Sequence, residues 1–82
     1  MIEVLYFAWV RERIGIHRER IETGATTVAE LVEELSGRED RYAAAFEDRR
    51  ALRVAIDQEL TDFNASLKGA REVAFFPPMT GG

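Results

Sequence analysis

The sequence contains no cysteine, and Lys68 is its one lysine. A chain without cysteine forms no disulfide bond, binds no metal through thiolates and attacks no substrate with a cysteine nucleophile. Ten of the 11 basic residues are arginine, which leaves almost no side-chain amine for acylation chemistry. The net charge of −4 argues against nucleic acid as a partner, because phosphate backbones are bound by an excess of positive charge.

Long apolar runs are also missing from the sequence. None approaches the roughly 18 residues that a transmembrane helix needs, so we predict no membrane partner. The first residues lack the basic region that precedes the apolar part of a signal peptide, and the cytoplasm is the expected compartment. A length of 82 residues with 46% apolar content is typical of one small globular domain.

The pattern of apolar residues predicts strands and one main helix. The strands are predicted over residues 2–10, 18–22, 52–57 and 72–76, with a short edge segment around Leu60. Gly15 is predicted to turn the charged connection between the first two strands. Thr27 and Glu30 have the spacing of a capping box, and an apolar stripe follows over residues 28–35, before Gly37 as the C-cap. A short helical turn is expected over residues 42–46.

This order of elements predicts a ubiquitin-like β-grasp, an α+β fold. A mixed sheet of four to five strands is expected to pack on one main helix. The first and last strands are the most apolar, so we expect them at the centre of the sheet. The β-grasp domain is predicted over residues 1–76, and an extended tail ending in Gly-Gly over residues 77–82.

Few residues of the chain offer catalytic chemistry. His17 is the one histidine, and in a charged connection it is expected to be solvated. A metal site would need carboxylates alone, and the pairs Glu33–Glu34 and Glu39–Asp40 are typical of solvated charge runs, so no metal site is predicted. The hydroxyl residues have no base placed to activate them, and no glycine-rich phosphate loop is present.

The last eight residues, FFPPMTGG, are the most specific feature of the sequence. Proline pushes Phe76 before it out of the helical region, and Pro77 and Pro78 lack the amide donors that strand pairing needs. The six residues after Phe76 reach roughly 20 Å when extended, which lets them enter a partner. Gly81 and Gly82 have no Cβ, so a partner can close tightly around the carboxyl group. That carboxylate is an anion at neutral pH and resists nucleophiles until another protein activates it.

Over its whole length the chain resembles the small, sulfur-carrier subunit of molybdopterin synthase. The resemblance is most specific in VAFFPPMTGG and in IEVLYFAWVRERIG, and ALRVAIDQEL also fits. Met79 stands where the family usually has valine, an exchange between apolar residues. Trp9 stands where a smaller or polar residue is common.

The resemblance implies a reaction at Gly82, with Gly81 giving access to it. An adenylating enzyme of the ubiquitin-activating type forms an acyl-adenylate there, and a sulfur donor protein converts it to a thiocarboxylate. The large catalytic subunit then receives the tail, and the sulfur passes to cyclic pyranopterin monophosphate to build molybdopterin. A two-plus-two heterotetramer is implied, with no permanently bound cofactor, since the adenylate and the thiocarboxylate are transient.

Strand parity predicts a partner-binding surface. Side chains alternate across a sheet, so Phe7 and Phe76 are expected together on the face that points away from the helix, with Leu60 nearby. An exposed apolar cluster on a small domain usually marks an interface. With the tail added, the predicted partner-binding residues are Phe7, Leu60, Phe76, Pro77, Pro78, Met79 and Thr80.

Other functions remain open from the residues. The sulfur carrier of thiamine thiazole synthesis shares the Gly-Gly end but typically lacks the Phe-Phe-Pro-Pro approach and is shorter. A ubiquitin-like modifier would join Gly82 to lysines of other proteins. A plain β-grasp interaction module would not use its terminus, and an enzyme with its own catalytic site ranks last.

Overall fold

In the computed structural model, which describes residues 1–78, a five-stranded sheet packs against three helices. The elements are β1 (Ile2–Tyr6), α1 (Ala8–Ile14), β2 (Arg18–Ile21), α2 (Val28–Ser36), α3 (Asp40–Ala45), β3 (Arg53–Ile56), β4 (Glu59–Thr61) and β5 (Glu72–Phe76), with a 3-10 turn at Arg49–Ala51.

The last strand, β5, lies at the centre of the sheet, whose strand order is β2-β1-β5-β3-β4. β1 and β5 are parallel, and the other neighbouring strands are antiparallel. The predicted central place of the first and last strands is confirmed, and the mixed sheet is that of a ubiquitin-like β-grasp.

The core lies between the inner face of the sheet and the helices. The central strands contribute the almost fully buried side chains of Val4, Tyr6, Val73 and Phe75. The predicted apolar stripe of α2 is confirmed, because its four members are buried: Val28, Leu31, Val32 and Leu35. Burial of this kind stabilises a fold by about 25 cal/mol for each Å² of apolar surface removed from water.

The start of α2 shows the predicted capping interaction in a shifted form. The Thr27 hydroxyl oxygen accepts a hydrogen bond of 3.2 Å from the backbone N–H of Glu30. The Glu30 carboxylate accepts a 2.8 Å bond from the backbone N–H of Thr26, one residue before the expected donor. This bond favours the ionised form and lowers the pKa of Glu30. Gly37 follows α2 as the predicted C-cap, with a φ of −80°.

The strand predicted over residues 2–10 is wrong beyond Tyr6. Phe7 is extended, and Ala8 has a φ of +52°, which turns the chain out of the sheet and into α1. The helix places Val10 and Ile14, four residues apart, on one fully buried face. Gly15, with a φ of +95°, ends the helix and supplies the predicted turn.

The third helix, α3, joins the other two helices to the sheet edge. It begins at Asp40, two residues before the predicted helical turn, and ends at Ala45. The guanidinium of Arg41 donates a 2.6 Å hydrogen bond to the carbonyl oxygen of Ile14 and so caps α1. This bond satisfies a carbonyl that the helix itself leaves without a partner.

The hairpin between β3 and β4 turns at Asp57 and Gln58, so β3 ends one residue before the predicted strand does. Both turn residues have positive φ, +49° and +72°. The Asp57 carboxylate accepts a 3.0 Å bond from each of the backbone N–H groups of Arg71 and Glu72. The turn is thereby tied to the start of β5. Ile56, the last residue of β3, is half-buried beside this turn.

Two further findings concern residues 1–78. None of their helices is long and apolar enough to cross a membrane. Within the same residues, no group of three or more histidine, cysteine or acidic side chains is arranged to hold a metal ion.

Candidate functional site

The site lies where β5 ends and the predicted tail begins. Phe76 is the last residue of β5 and lies opposite Arg53 of β3. Pro77 and Pro78 follow outside the sheet, and both are half-buried. The predicted site residues Met79, Thr80, Gly81 and Gly82 lie outside the described residues.

The outer face of the sheet, which points away from α2, carries an apolar row across four strands. Register places Leu5 beside Ala74, Ala74 beside Ala55, and Ala55 beside Leu60. We call these four residues the apolar row. The two alanines in the middle of the apolar row have small side chains and are only 8% exposed, so the surface is recessed there. Leu60, at the edge of the row, protrudes and is 71% exposed.

Phe7 and Phe76 lie beyond the apolar row, at the end where the chain leaves β5. Tyr6 is opposite Phe75, so Phe7 is level with Phe76, and the Phe7 N–H donates a 3.1 Å hydrogen bond to the Phe75 carbonyl. Phe7 is 46% exposed and Phe76 is half-buried. The structure thus brings the two predicted aromatic residues to one end of the sheet.

The prediction from strand parity needs one correction and one addition. Phe7 is exposed as predicted, but it is the extended residue before α1 and lies outside β1. Leu60 is separated from Phe76 by β3, and the apolar row connects them. The predicted set missed Ala55 and Ala74 because their small side chains gave no signal of exposure; the register of two neighbouring strands was needed to find them.

Charge differs between the two ends of this outer face. Towards the start of β5, Glu3 lies between Arg20 and Glu72, and Arg18 forms a 2.8 Å ion pair with Glu3. Towards the end of β5, Arg53 is opposite Phe76. The end where β5 starts therefore carries carboxylates beside arginines, whereas the exit of the chain is beside a guanidinium.

A groove next to the apolar row continues the site beyond β4. It is lined in part by Arg49, Leu52, Leu60 and Phe63. The Arg49 guanidinium lies 6.0 Å from the centre of the Phe63 ring, within the range of a cation–π contact. The groove joins apolar walls to charged side chains of both signs, from Arg49, Arg53 and Asp62.

A second arrangement of polar groups lies inside the fold, away from this face. The hydroxyl groups of Tyr6 and Tyr42 donate hydrogen bonds of 2.8 and 2.7 Å to the same oxygen of Glu19. Burial, reinforced by these bonds to a carboxylate, raises the pKa of Tyr42 to about 12 and that of Tyr6 further. Both phenols stay neutral, so they hold β1, β2 and α3 together rather than exchange protons near neutral pH.

The described part of the chain therefore offers a contact surface and a directed exit for the tail. His17 is exposed. The residues around Phe76 are apolar or permanently charged, and a guanidinium neither accepts a proton nor attacks a carbon at neutral pH. Any covalent chemistry assigned to this site belongs to the tail.

Comparison with known proteins gives consistent matches. A model of the ThiS family matches residues 4–82 of the chain. The chain is 43% identical to the molybdopterin synthase sulfur carrier subunit of Escherichia coli and 40% identical to that of Haemophilus influenzae, with 100% of both chains covered in each case. The fold is similar to that of the crystal structure of SAMP1 from Haloferax volcanii, with a TM-score of 0.72, 25% identity, and coverage of 99% of this chain and 98% of that chain.

Proposed function

The chain belongs to the ThiS family, and we propose that it is a sulfur carrier for molybdenum cofactor biosynthesis, the small subunit of a molybdopterin synthase. The observation that carries the proposal is 43% identity over the full length of a named sulfur carrier subunit, the length that includes the tail. The partner is the large catalytic subunit.

The chemistry is assigned to the Gly82 carboxyl group. A carboxylate is a poor electrophile, so an adenylyltransferase of the ubiquitin-activating type first joins it to AMP and releases pyrophosphate. A sulfur donor protein then delivers sulfur, at the oxidation level of sulfide, to the carbonyl carbon, and AMP leaves. The resulting thiocarboxylate is ionised and nucleophilic at neutral pH, and it donates its sulfur to cyclic pyranopterin monophosphate.

The outer face of the sheet is assigned to partner binding. Phe7 and Leu60 are large apolar side chains with 46% and 71% exposure. The apolar row runs from Leu60 on β4 across β3 to β5, the strand that carries Phe76, and on to β1. Burying such side chains in a partner is favourable, and aromatic anchors often dominate an interface. Because Phe76 is also the last residue of β5, a partner bound here is next to the start of the tail.

The prolines and glycines are assigned separate tasks in the tail. Pro77 and Pro78 favour a stiff, extended path away from β5. Gly81 and Gly82 lack side chains, so they fit a narrow channel that leads to an active site. Met79 and Thr80 connect the two pairs and would contact the walls of that channel.

The test is the intact mass of the protein produced together with its adenylyltransferase and a sulfur donor. We expect a species in which one oxygen is replaced by sulfur and that loses this sulfur when the large subunit and substrate are added. A chain without Gly82, or with residues fused after it, should stay unmodified while its melting temperature is unchanged. His17→Ala is the matched control and should load sulfur normally.

The same experiment separates the alternative functions. Transfer of sulfur to a thiazole precursor but not to the pterin would assign the chain to thiamine synthesis. Amide-linked adducts to other proteins, without a thiocarboxylate, would identify a protein modifier. Sulfur loading by the chain that carries fused residues would contradict the assignment to Gly82.

A further inference from the structure

We propose that the fold keeps the activated Gly82 carboxyl group away from the amines of its own chain, an inference that rests on the proposed function. The chain has two amines, the ε-amine of Lys68 and the α-amine of Met1. Either amine, when uncharged, attacks an acyl-adenylate at its carbonyl carbon. The amide that forms is stable, so each such event would remove a carrier from use.

Both amines lie where β1 and β5 begin. Met1 precedes β1 and is 81% exposed. Lys68 is exposed in a turn in which Gly69 has a φ of +76°, shortly before β5. A surface groove lined in part by Met1, Leu67 and Ala70 brings the two segments together. The two amines of the chain therefore lie at one end of the molecule.

The tail leaves from the opposite end of the same two strands. Because β1 and β5 are parallel and Tyr6 is opposite Phe75, Phe76 is level with Phe7 and six residues along from Met1. At about 3.3 Å for each residue, this separation is about 20 Å.

That separation equals the greatest reach of the tail. The six residues after Phe76 span roughly 20 Å only when they are fully extended. To meet Met1 or Lys68, the tail has to reverse its direction first, and Pro77 and Pro78 stiffen the part where the reversal would start. A tail that reverses uses part of that reach in the turn, so its end stops short of the position of Met1. Lys68 follows Leu67 of the groove that contains Met1, so it lies at that far end as well.

The cations near the exit are arginines. Arg53 is opposite Phe76. Arg49 and Arg50 lie in the 3-10 turn shortly before Arg53. Arg11 and Arg13 lie on α1, which starts where β1 ends. A guanidinium has a pKa above about 12 and stays protonated, whereas the amine of a lysine is uncharged in a small fraction of molecules at neutral pH. These arginines supply positive charge beside the exit without supplying a nucleophile.

The test uses a Gly82 thioester made by intein cleavage, so it needs neither adenylation nor sulfur transfer. An amine that reaches it forms an amide with the Gly82 carbonyl carbon, the carbon–sulfur bond breaks, and the thiol leaves with the proton that the amine loses. The monomer then loses the mass of the thiol. The rate of cyclisation is measured at mildly alkaline pH for the natural chain, Arg53→Lys and Arg71→Lys. The protein is dilute enough that this rate does not depend on its concentration.

We expect Arg53→Lys to cyclise roughly tenfold or more faster than the other two chains. Its amine lies opposite Phe76, so the short tail alone separates it from the thioester and the effective concentration is high. Arg71→Lys places the same amine five residues before Phe76, at the far end of β5, and serves as the matched control. Equal rates for the three chains would overturn the proposal, and so would rapid cyclisation of the natural chain. Circular dichroism and a melting curve establish that both variants are folded. Failure of sulfur loading would instead contradict the proposed function, which this assay does not involve.

Discussion

The hydroxyl group of Tyr6 donates a 2.8 Å hydrogen bond to a carboxylate oxygen of Glu19, on the neighbouring strand. Tyr42 of α3 donates to the same oxygen at 2.7 Å. One carboxylate thus satisfies two buried phenols, which connects the sheet edge to α3.

Replacing Glu19 by alanine should destabilise the domain by about 2 to 3 kcal/mol, because it leaves two buried hydroxyl groups without their charged acceptor. Urea unfolding measures the change. Glu19→Gln keeps an acceptor and should cost less, and Glu22→Ala, an exposed acidic residue nearby, is the matched control with a small effect. Equal losses for Glu19→Ala and Glu22→Ala would show that the shared carboxylate contributes little.

The same cluster predicts the alkaline limit of stability. Phenols in the unfolded chain lose their protons near pH 10, whereas the pKa of Tyr42 in the folded protein is about 12 and that of Tyr6 is raised further. The folded state therefore holds more protons than the unfolded state above pH 10. The stabilising contribution is complete below about pH 10 and declines as the pH rises towards 12.

Phenolate absorbance tests this prediction directly, because the chain has two tyrosines. In the folded protein the phenolate absorbance should begin to increase only at a pH well above 10. In concentrated urea the increase should occur near pH 10. Tyr6→Phe with Tyr42→Phe should remove the decline of stability over that window. Normal titration of both phenols in the folded protein would contradict the cluster as described.

Gln58→Gly should stabilise the domain by about 0.5 to 1 kcal/mol, since a φ of +72° is unfavourable for a residue with a Cβ and ordinary for glycine. The turn has the two positive φ values of the type I′ hairpin, which favours glycine at its second position. Asp57→Gly is the informative counterpart, because it relaxes the first position but removes the acceptor of two backbone N–H groups. We expect it to lower the melting temperature. Opposite signs for the two glycine variants are the predicted result, and a loss in both would contradict it.

Phe7→Ala should weaken binding of the large subunit by roughly tenfold or more, because aromatic anchors at an interface commonly contribute about 2 kcal/mol. Titration calorimetry measures the affinity. Phe76→Ala should weaken binding by a similar factor and lower the melting temperature further, since Phe76 is half-buried at the end of β5. Arg71→Ala is the control, an exposed side chain at the other end of the sheet. Unchanged affinity for Phe7→Ala would place the interface elsewhere.

The helix α2 and the strands β2 and β5 could be predicted because their signals are local. The apolar stripe over residues 28–35 and the capping pair before it act within one or two helical turns. For β5, three apolar or aromatic residues follow Glu72 before Phe76, and the prolines end strand pairing there.

The transition from β1 to α1 could not be predicted because its cause is not local. Phe7, Trp9 and Val10 have strand-favouring side chains. The chain nevertheless leaves the sheet at Ala8, whose positive φ is unusual for alanine. The burial of Val10 and Ile14 against the rest of the fold, together with the bond from Arg41, outweighs that local preference. The spacing of Val10 and Ile14 was an available signal, but Val10 also ends the apolar run that starts at Ile2, and charged residues separate it from Ile14.

The candidate site was predictable in part for the same reason. Side-chain alternation was enough to predict the exposure of Phe7, whereas Leu60 was only expected nearby, in a short edge segment. The apolar row, which runs from Leu5 to Leu60, depends on which strands are neighbours, and two of its members are alanines that nothing in the local sequence marks. Met79 to Gly82 stay a prediction from the sequence.

The central position of β5 has a consequence for the order in which the protein is made. Of the five strands, this one is synthesised last, and it fills the middle of the sheet, pairing with β1 on one side and β3 on the other. A nascent chain that ends before Glu72 has β1 and β3 without their shared neighbour and lacks Val73 and Phe75 from the core. Because pairing between distant segments waits until both exist, folding follows synthesis here. The topology thus couples completion of the sheet to synthesis of β5, because the outer face includes a residue of this strand, Ala74, in the middle of the apolar row.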